Sequence, residues 1–311
     1  MWFFKKKTTV ATSGILHGAT DHHSHILPGV DDGVETIDEA LRILATYETM
    51  GIKALWLTPH IMEDCPNSTE KLLTRFEKLK AAYNGSVELR LAAEYMIDNH
   101  LRKLLDNTAC HFEPQGEISP TKDCPSLQRG RSEAVGDNKT PNSPSLPKRE
   151  YPQGEGDENH KLRPAAEGRW HEQSEVTEGS NNLLPIGTSG KHILVETSYY
   201  NAPIKMRETL QQIKSLGYHP LLAHPERYMY LDNAEYTRLH SEGVRFQLNL
   251  ASLAGGYGPV VKKKALWLLT NGLYTVAGTD LHSEDSIDFI TKCKLSEQET
   301  EHVKRLLQNN I

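Results

Sequence analysis

Nine side chains in this 311-residue chain combine imidazole or carboxylate groups with a spacing that suits cations: His23, His25, Asp32, His60, Glu94, Glu196, His224, Asp280 and His282. His23 and His25 are two residues apart on an extended segment, so both rings point the same way. Asp280 and His282 repeat that spacing. About four ligands suffice for one ion, so this set suits two or three. It mixes nitrogen and oxygen donors without a thiolate. That fits Mn, Fe or Zn in a reactive site better than a structural zinc. Any one of these residues, taken alone, reads more readily as a hydrogen-bonded polar residue at a strand end. Their joint placement carries the metal reading.

A repeating strand-and-helix pattern must position them. Thr36-Ile37-Asp38-Glu39 reads as a capping box. It opens a helix with apolar Ile37, Ala40, Leu41, Leu44, Tyr47 and Met50, closed by Gly51. Strands are expected near Ala19–His22, Ile52–Leu57, Val87–Ala93, His192–Glu196, His219–Ala223, Val244–Leu250 and Leu273–Ala277. Helices are expected over Glu70–Tyr83, Asn99–Asp106, Ile204–Leu216, Asn233–Glu242, Val260–Asn271 and Glu297–Gln308. Alternation of this kind predicts an α/β protein with a parallel sheet covered on both faces. Seven strands suggest a barrel one short of the eight-stranded form, with an open doubly wound sheet as the alternative. In either case the candidate ligands fall at the carboxyl ends of strands, where such folds bind ligands.

Composition bounds the function classes. The net charge is −6, the pI near 6.2, hydrophobic residues 37%, charged residues 24% and mean hydropathy −0.55. At roughly 100–200 residues per domain, one large domain or two ordinary ones would fit. The acidic balance argues against broad nucleic-acid or anionic-membrane binding. Apolar runs such as Ala54–Leu57 are too short to span a bilayer. At the start, Met1-Trp2-Phe3-Phe4-Lys5-Lys6-Lys7 does not lead into the long apolar stretch of a signal peptide. It reads as a frayed terminus, since three lysines attract a membrane only weakly. The 4 cysteines (Cys65, Cys110, Cys124, Cys293) show no C-x-x-C spacing and read as reduced thiols in the cytoplasm. Between 108 and 182 the pattern fails. About half of the 16 prolines fall there, apolar residues thin out, and isolated Phe112, Tyr151 and Trp170 are left without a period. Such a stretch cannot bury enough apolar surface to offset its ordering entropy, and loop-closure cost grows only slowly with length. The expected organisation is therefore an N-terminal extension over 1–16, a catalytic body from 17–107 and 183–311, and a long disordered insertion over 108–182.

Other catalytic devices fail on spacing. A cysteinyl-phosphate mechanism needs Arg six positions after Cys, where this chain has Lys71, Gly116, Gly130 and Glu299. No G-x-S-x-G elbow supports Ser-His-Asp catalysis. Gly187–Lys191 lacks the spacing and the Ser/Thr of a phosphate loop.

The segments DHHSHILPGVDDG, LTPHI, AAEYM, ILVETSY, LLAHPERY and GTDLH resemble the PHP (polymerase and histidinol phosphatase) superfamily. More narrowly, they resemble its metal-dependent bacterial protein tyrosine phosphatases of capsule and exopolysaccharide synthesis. The resemblance implies a distorted seven-stranded (β/α) barrel of PHP type. It implies that His23, His25, Glu94 and Asp280 hold one metal, that His60, Glu94 and Glu196 hold a second with Glu94 bridging, and that Asp32, His224 and His282 hold a third. The ions would be two or three divalent cations, Mn first, with Fe or Zn as alternatives. Arg227 would clamp phosphate, the more so because Ser283-Glu284-Asp285 stand where some relatives carry a second Arg. His22 replaces a residue usually apolar in this motif, so it either adds a ligand or packs differently.

The implied reaction is hydrolysis of phosphotyrosine on protein by metal-activated hydroxide, without a phosphocysteine. The tail of a bacterial tyrosine kinase is the implied partner. Tyr199, Tyr200 and Tyr228 stand where they could pack on a substrate ring or serve as core aromatics. The alternatives are a PHP phosphoesterase acting on a small molecule such as histidinol phosphate, and a metal-binding regulator without catalysis.

Overall fold

Thr36 Oγ1 accepts the Glu39 N–H at 3.2 Å, so helix α2 (Ile37–Thr49) starts where the capping signal placed it. The return half of the box differs, since Glu39 Oε2 accepts from the Glu35 backbone N–H instead. A complete capping box occurs at Ser296 and Glu299, which starts α10 (Glu297–Gln308). The computed structural model describes residues 7–111 and 183–311. Almost all of the expected insertion, with Phe112, Cys124, Tyr151 and Trp170, lies outside the described residues, as do residues 1–6.

The fold is a mixed α/β arrangement built on parallel sheets. In chain order the strands are β1 (Lys7–Thr9), β2 (Thr20–Ser24), β3 (Ala54–Leu57), β4 (His60–Ile61), β5 (Glu88–Leu91) and β6 (Glu94–Met96). They continue with β7 (His192–Glu196), β8 (His219–Ala223), β9 (Arg245–Asn249), β10 (Val276–Gly278) and β11 (Lys294–Ser296). One sheet has six strands in the order β10-β9-β8-β7-β6-β4, and a second has three in the order β2-β3-β5. Every pair within these two sheets is parallel. The remaining helices are α1 (Val10–Ser13), α3 (Thr69–Ala82), α4 (Asn99–His111), α5 (Met206–Ser215), α6 (Asn233–Ser241), α7 (Leu250–Ala254), α8 (Gly258–Thr270) and α9 (Asp285–Thr291). Helix α4 runs beyond its expected end at Asp106. Among the described residues, no helix is long and apolar enough to cross a membrane.

Two of the seven expected strands are each followed, after a short break, by a second short strand beyond their expected ends. Pro59, which has no N–H to donate, interrupts the line from β3 to β4. Ala92 and Ala93 separate β5 from β6. The backbone nevertheless carries on across both gaps: Ala92 N–H donates to Leu57 O at 2.9 Å and Glu94 N–H to Pro59 O at 3.1 Å. On the other side β2 meets the end of β10. Ser24 and Leu281 form a parallel bridge, His25 N–H donates to Leu281 O at 2.9 Å, and Asp280 N–H donates to His23 O at 2.8 Å. Residues 7–9 pair antiparallel with β11, and Val10, Ile15 and Leu16 are buried in the main core.

Side-chain alternation divides the apolar interior in two. Ile193 and Val195 of β7, Leu222 of β8 and Ala277 of β10 belong to the large core shared with the helices. Their neighbours Leu194, Leu221, Ala223 and Val276 form a smaller cluster with Trp56, Ala92 and Ile186. Burial on both faces is what a helix-covered parallel sheet requires. On β9 the alternation changes character. Phe246 and Leu248 join the large core, while Gln247 and Asn249, both fully buried, replace apolar residues on the other face.

Candidate metal centre

Eight of the nine expected ligands stand in or just beyond a parallel strand, and Asp32 lies in the loop that follows β2. His23 is on β2 and His25 follows it; His60 starts β4, Glu94 starts β6, Glu196 ends β7, His224 follows β8, and Asp280 and His282 follow β10. His224 and Asp280 take left-handed backbone angles, φ 32° and 54°, uncommon for residues with a side chain. Two glycines allow close approach. A Cβ on Gly33 would lie 1.8 Å from the His25 carbonyl oxygen, and one on Gly278 would lie 2.6 Å from the His23 backbone N.

The structure brings all nine groups together: seven line one cavity, and His23 and His25 lie buried beneath it against Glu94 and Asp280. His23 Nε2, His25 Nε2, Glu94 Oε2 and Asp280 Oδ1 converge, and five separations among them lie between 3.0 and 3.4 Å. A tetrahedron with edges of about 3.3 Å has its centre about 2.0 Å from each corner, the length of a metal–ligand bond. Beside it, His60 Nδ1 lies 3.4 Å from Glu94 Oε2 and 3.2 Å from Glu196 Oε1. His224 Nε2 lies 3.3 Å from Glu94 Oε1 and 3.9 Å from Glu196 Oε2. On the outer side, Asp32 Oδ1 is 3.4 Å from His60 Nε2 and 3.5 Å from His282 Nε2. The third set therefore differs from the one the resemblance implies. His224 gathers with His23, Glu94 and Asp280, while Asp32 and His282 gather with His25 and His60.

Several of these buried atoms have no aligned hydrogen-bond partner: both carboxylate oxygens of Glu94, His60 Nδ1 and His224 Nδ1. Orphaned polar atoms at this depth are costly unless something bonds them. Imidazole and carboxylate donors in this crowding fit divalent cations, so the residues present suit the group that the donor chemistry calls for.

Electrostatics separates the members. Burial pushes the Glu94 carboxyl up, but His23 and the other rings outweigh it and hold it well below the usual range. Glu196 goes the other way, raised by burial and then by Glu94 and Asp280. Burial, then His25, pushes His60 down to about 4, and burial with Arg227 lowers His224. Those two rings are thereby kept in the neutral form that ligates. His23 and His25 are raised, because their carboxylate neighbours overcome burial.

Arg227 completes the site. Its guanidinium lies 4.2 Å from the Tyr199 ring centroid and 4.0 Å from that of Tyr257, and Nη1 donates to Asp280 Oδ2 at 2.9 Å. The cavity of about 400 Å³ is lined by Asp32, His60, Glu94, Glu196, His224, Asp280 and His282, together with Arg227, Tyr199, Tyr200, Tyr257, Met62 and Met96. Tyr228 does not reach it. It is fully buried, donates to Ala223 O at 2.9 Å and stacks between Tyr199 and Tyr230, so it is a core aromatic. Tyr200 is exposed at the rim. His22 faces away from the cluster, with Nδ1 3.2 Å from Ala277 O, and packs without joining the donor groups.

The family model described as "Capsular polysaccharide synthesis, CpsB/CapC" matches residues 19–113 and 154–308. The chain belongs to the CpsB/CapC family. All nine candidate ligands and Arg227 fall inside the matched residues. CapC of Staphylococcus aureus, which carries the name of a tyrosine-protein phosphatase, is 22% identical over 275 residues, 88% of this chain and 80% of that relative. Tyrosine-protein phosphatase YwqE of Bacillus subtilis is 27% identical over 131 residues, 42% of this chain and 51% of that relative. Tyrosine-protein phosphatase CpsB of Streptococcus pneumoniae is 27% identical over 114 residues, 33% of this chain and 45% of that relative. A crystal structure from work on YwqE and CpsB, titled as unique metal-dependent tyrosine phosphatases, superposes with a TM-score of 0.59 at 17% identity. It covers 94% of this chain and 95% of that one, and so establishes the shared fold.

Sequence reasoning missed the partners that orient this CpsB/CapC family site. Asp31, read only as part of a string, has Oδ2 2.9 Å from His25 Nδ1 and accepts the His60 N–H at 3.1 Å. Tyr257 and the amides Gln247 and Asn249 were not singled out. Gln and Asn at period two beside Phe246 and Leu248 on a buried strand was the available signal.

Proposed function

We propose that this chain is a metal-dependent phosphatase that hydrolyses phosphotyrosine on protein. The observation that carries this reading is the clustering of nine nitrogen and oxygen donors, seven of which line one cavity together with Arg227. The family and the names of its relatives agree with it. His23, His25, Glu94 and Asp280, with His224 beside them, would hold one divalent cation, and His60, Glu94 and Glu196 a second. Asp32 and His282, with the nearby rings of His25 and His60, offer a third place. Mn suits this donor mixture first, with Fe or Zn next. Such cations, when bound, polarise phosphoryl oxygens and supply hydroxide near neutral pH.

The protein's own part is to bind and orient. Arg227 presents a rigid fork of donors to the phosphoryl group, and the Tyr199 and Tyr257 rings hold its plane. A phenolate leaving group has a pKa of about 10 and needs less protonation than an alkoxide. Tyr200, Met62 and Met96 give the cavity an apolar margin for an aromatic ring.

The finer architecture follows the same reading. Taking β3 with β4 and β5 with β6 as single bent strands gives seven in the order β2, β3/β4, β5/β6, β7, β8, β9, β10. The bridge from Ser24 to Leu281 brings the last back to the first. That supports a distorted seven-stranded barrel formed by 17–107 and 183–311, with 108–182 as an insertion. Cys65 and Cys293 are free thiols, which supports a cytoplasmic location. The natural protein substrate would be the tyrosine-phosphorylated tail of a bacterial kinase.

The test is hydrolysis of a phosphotyrosine peptide against histidinol phosphate, with EDTA and with added Mn²⁺. Mn²⁺-dependent release from the peptide is the expected result. Turnover of histidinol phosphate in preference would overturn the assignment.

A further inference from the structure

Of the seven expected strands, β9 alone brings no candidate ligand to the site, yet it buries two amides there. Gln247 and Asn249 alternate with core residues Phe246 and Leu248, so both point to the ligand side. A buried amide without partners is costly, and here both the oxygen and the nitrogen of each amide have a hydrogen-bond partner.

Their hydrogen bonds fix which atom is which. The backbone N–H of His224 can only donate, and it lies 3.1 Å from Gln247 Oε1, which identifies that atom as the oxygen. The same oxygen lies 3.0 Å from His23 Nδ1, so Nδ1 must carry the proton. In the neutral ring, the form that ligates, His23 Nε2 then has its lone pair towards Glu94 and Asp280. Asn249 is fixed in the same way. Its Oδ1 accepts the Ala251 N–H at 2.8 Å, so Nδ2 is the donor to Asp280 Oδ2 at 2.9 Å. Arg227 Nη1 takes the same Oδ2. Asp280 Oδ1, 3.4 Å from both His23 Nε2 and His25 Nε2, stays free to ligate.

We propose that Gln247 and Asn249 are positioning residues of the metal centre: Gln247 sets the tautomer and ring plane of His23, and Asn249 assigns the two oxygens of Asp280. This rests on the metal-dependent reading above. Outer partners of this kind typically govern metal affinity by about 10–100-fold.

The test measures Mn²⁺ affinity of the full-length chain from the EPR signal of free Mn²⁺, alongside thermal melting. Gln247→Met keeps the shape and removes both polar atoms; Gln247→Glu keeps an acceptor at the same place. Gln247→Met should bind Mn²⁺ about 10–100-fold more weakly while still melting cooperatively, and Gln247→Glu should restore most of the affinity. Asn249→Asp, which sets a carboxylate against Asp280, should weaken binding as well. A role limited to packing would lower the melting temperature without moving affinity. Folded Gln247→Met with wild-type affinity would overturn the inference. If it fails to fold, wild-type affinity in folded Asn249→Asp would do so. Absence of Mn²⁺ binding by the wild type would instead overturn the metal reading and this inference with it.

Discussion

Asp31 Oδ2 lies 2.9 Å from His25 Nδ1 and also accepts the backbone N–H of His60 at 3.1 Å. One buried carboxylate thus orients two of the candidate ligands, and it leaves His25 Nε2 for the cluster. A carboxylate behind a ligating imidazole raises its basicity and fixes its tautomer. Asp31→Asn keeps the shape but removes the charge. It should weaken Mn²⁺ binding by about 10–100-fold, read by calorimetric titration. Unchanged affinity in the folded variant would remove Asp31 from this role.

Gly33 makes a second link in the same turn. Its N–H donates to Asp31 Oδ1 at 3.1 Å, and its missing Cβ leaves room for the His25 carbonyl. Gly33→Ala places a methyl group against backbone, which cannot rotate away. Overpacking of this kind costs about 1–3 kcal/mol, and the upper end applies here. Urea denaturation should show that loss, and Mn²⁺ affinity should fall with it as His25 shifts. A neutral effect on both would mean the turn relaxes freely.

The architecture was legible because apolar runs of four or five residues recur between helical periods; β7 and β8 fall where expected. The breaks at Pro59 and at Ala92-Ala93 were not. They depend on how neighbouring strands bend around the site. Strands β1 and β11, three residues each, pair across almost the whole chain and carry no local pattern of their own. The nine ionisable groups were legible from their chemistry and their strand-end positions. Their grouping was less so: His224 joins Glu94 and Asp280 through a left-handed turn that spacing does not encode. Gln247 escaped because a search for charge passes over amides, and its partner His23 lies 224 residues away.

Arg227 is flanked by two aromatic rings and bonded to Asp280, which fixes the guanidinium before any substrate arrives. Lysine cannot reproduce the planar fork or the stacking. Removing one preorganised donor to a developing oxyanion costs about 100–1,000-fold in rate. Arg227→Lys should therefore lower kcat/KM for a phosphotyrosine peptide by at least about 100-fold, with Mn²⁺ binding largely retained. Wild-type kcat/KM in a folded, metal-replete variant would show that the phosphoryl group is held elsewhere.

At the other end of the parallel strands, His192 opens β7 with its ring 5.2 Å from that of His219. Burial, then His219 and Arg245, pushes its pKa down to about 4. In the unfolded chain the same ring titrates near 6.5. Between these values the unfolded state binds the extra proton, so stability rises with pH across that window. The contribution is intact above about pH 6.5, drains away as the pH falls towards about 4, and loses nothing more below that. Partial exposure of the ring screens the effect and keeps it below what full burial would give. His22, buried and pushed down to about 4, adds a loss of the same sign. His192→Gln removes one loss of this sign. Thermal melts at pH 7 and pH 4.5 should show the variant losing less stability than the wild type between them. Equal losses would mean that the His192 ring accepts its proton in the folded protein as readily as in the unfolded chain.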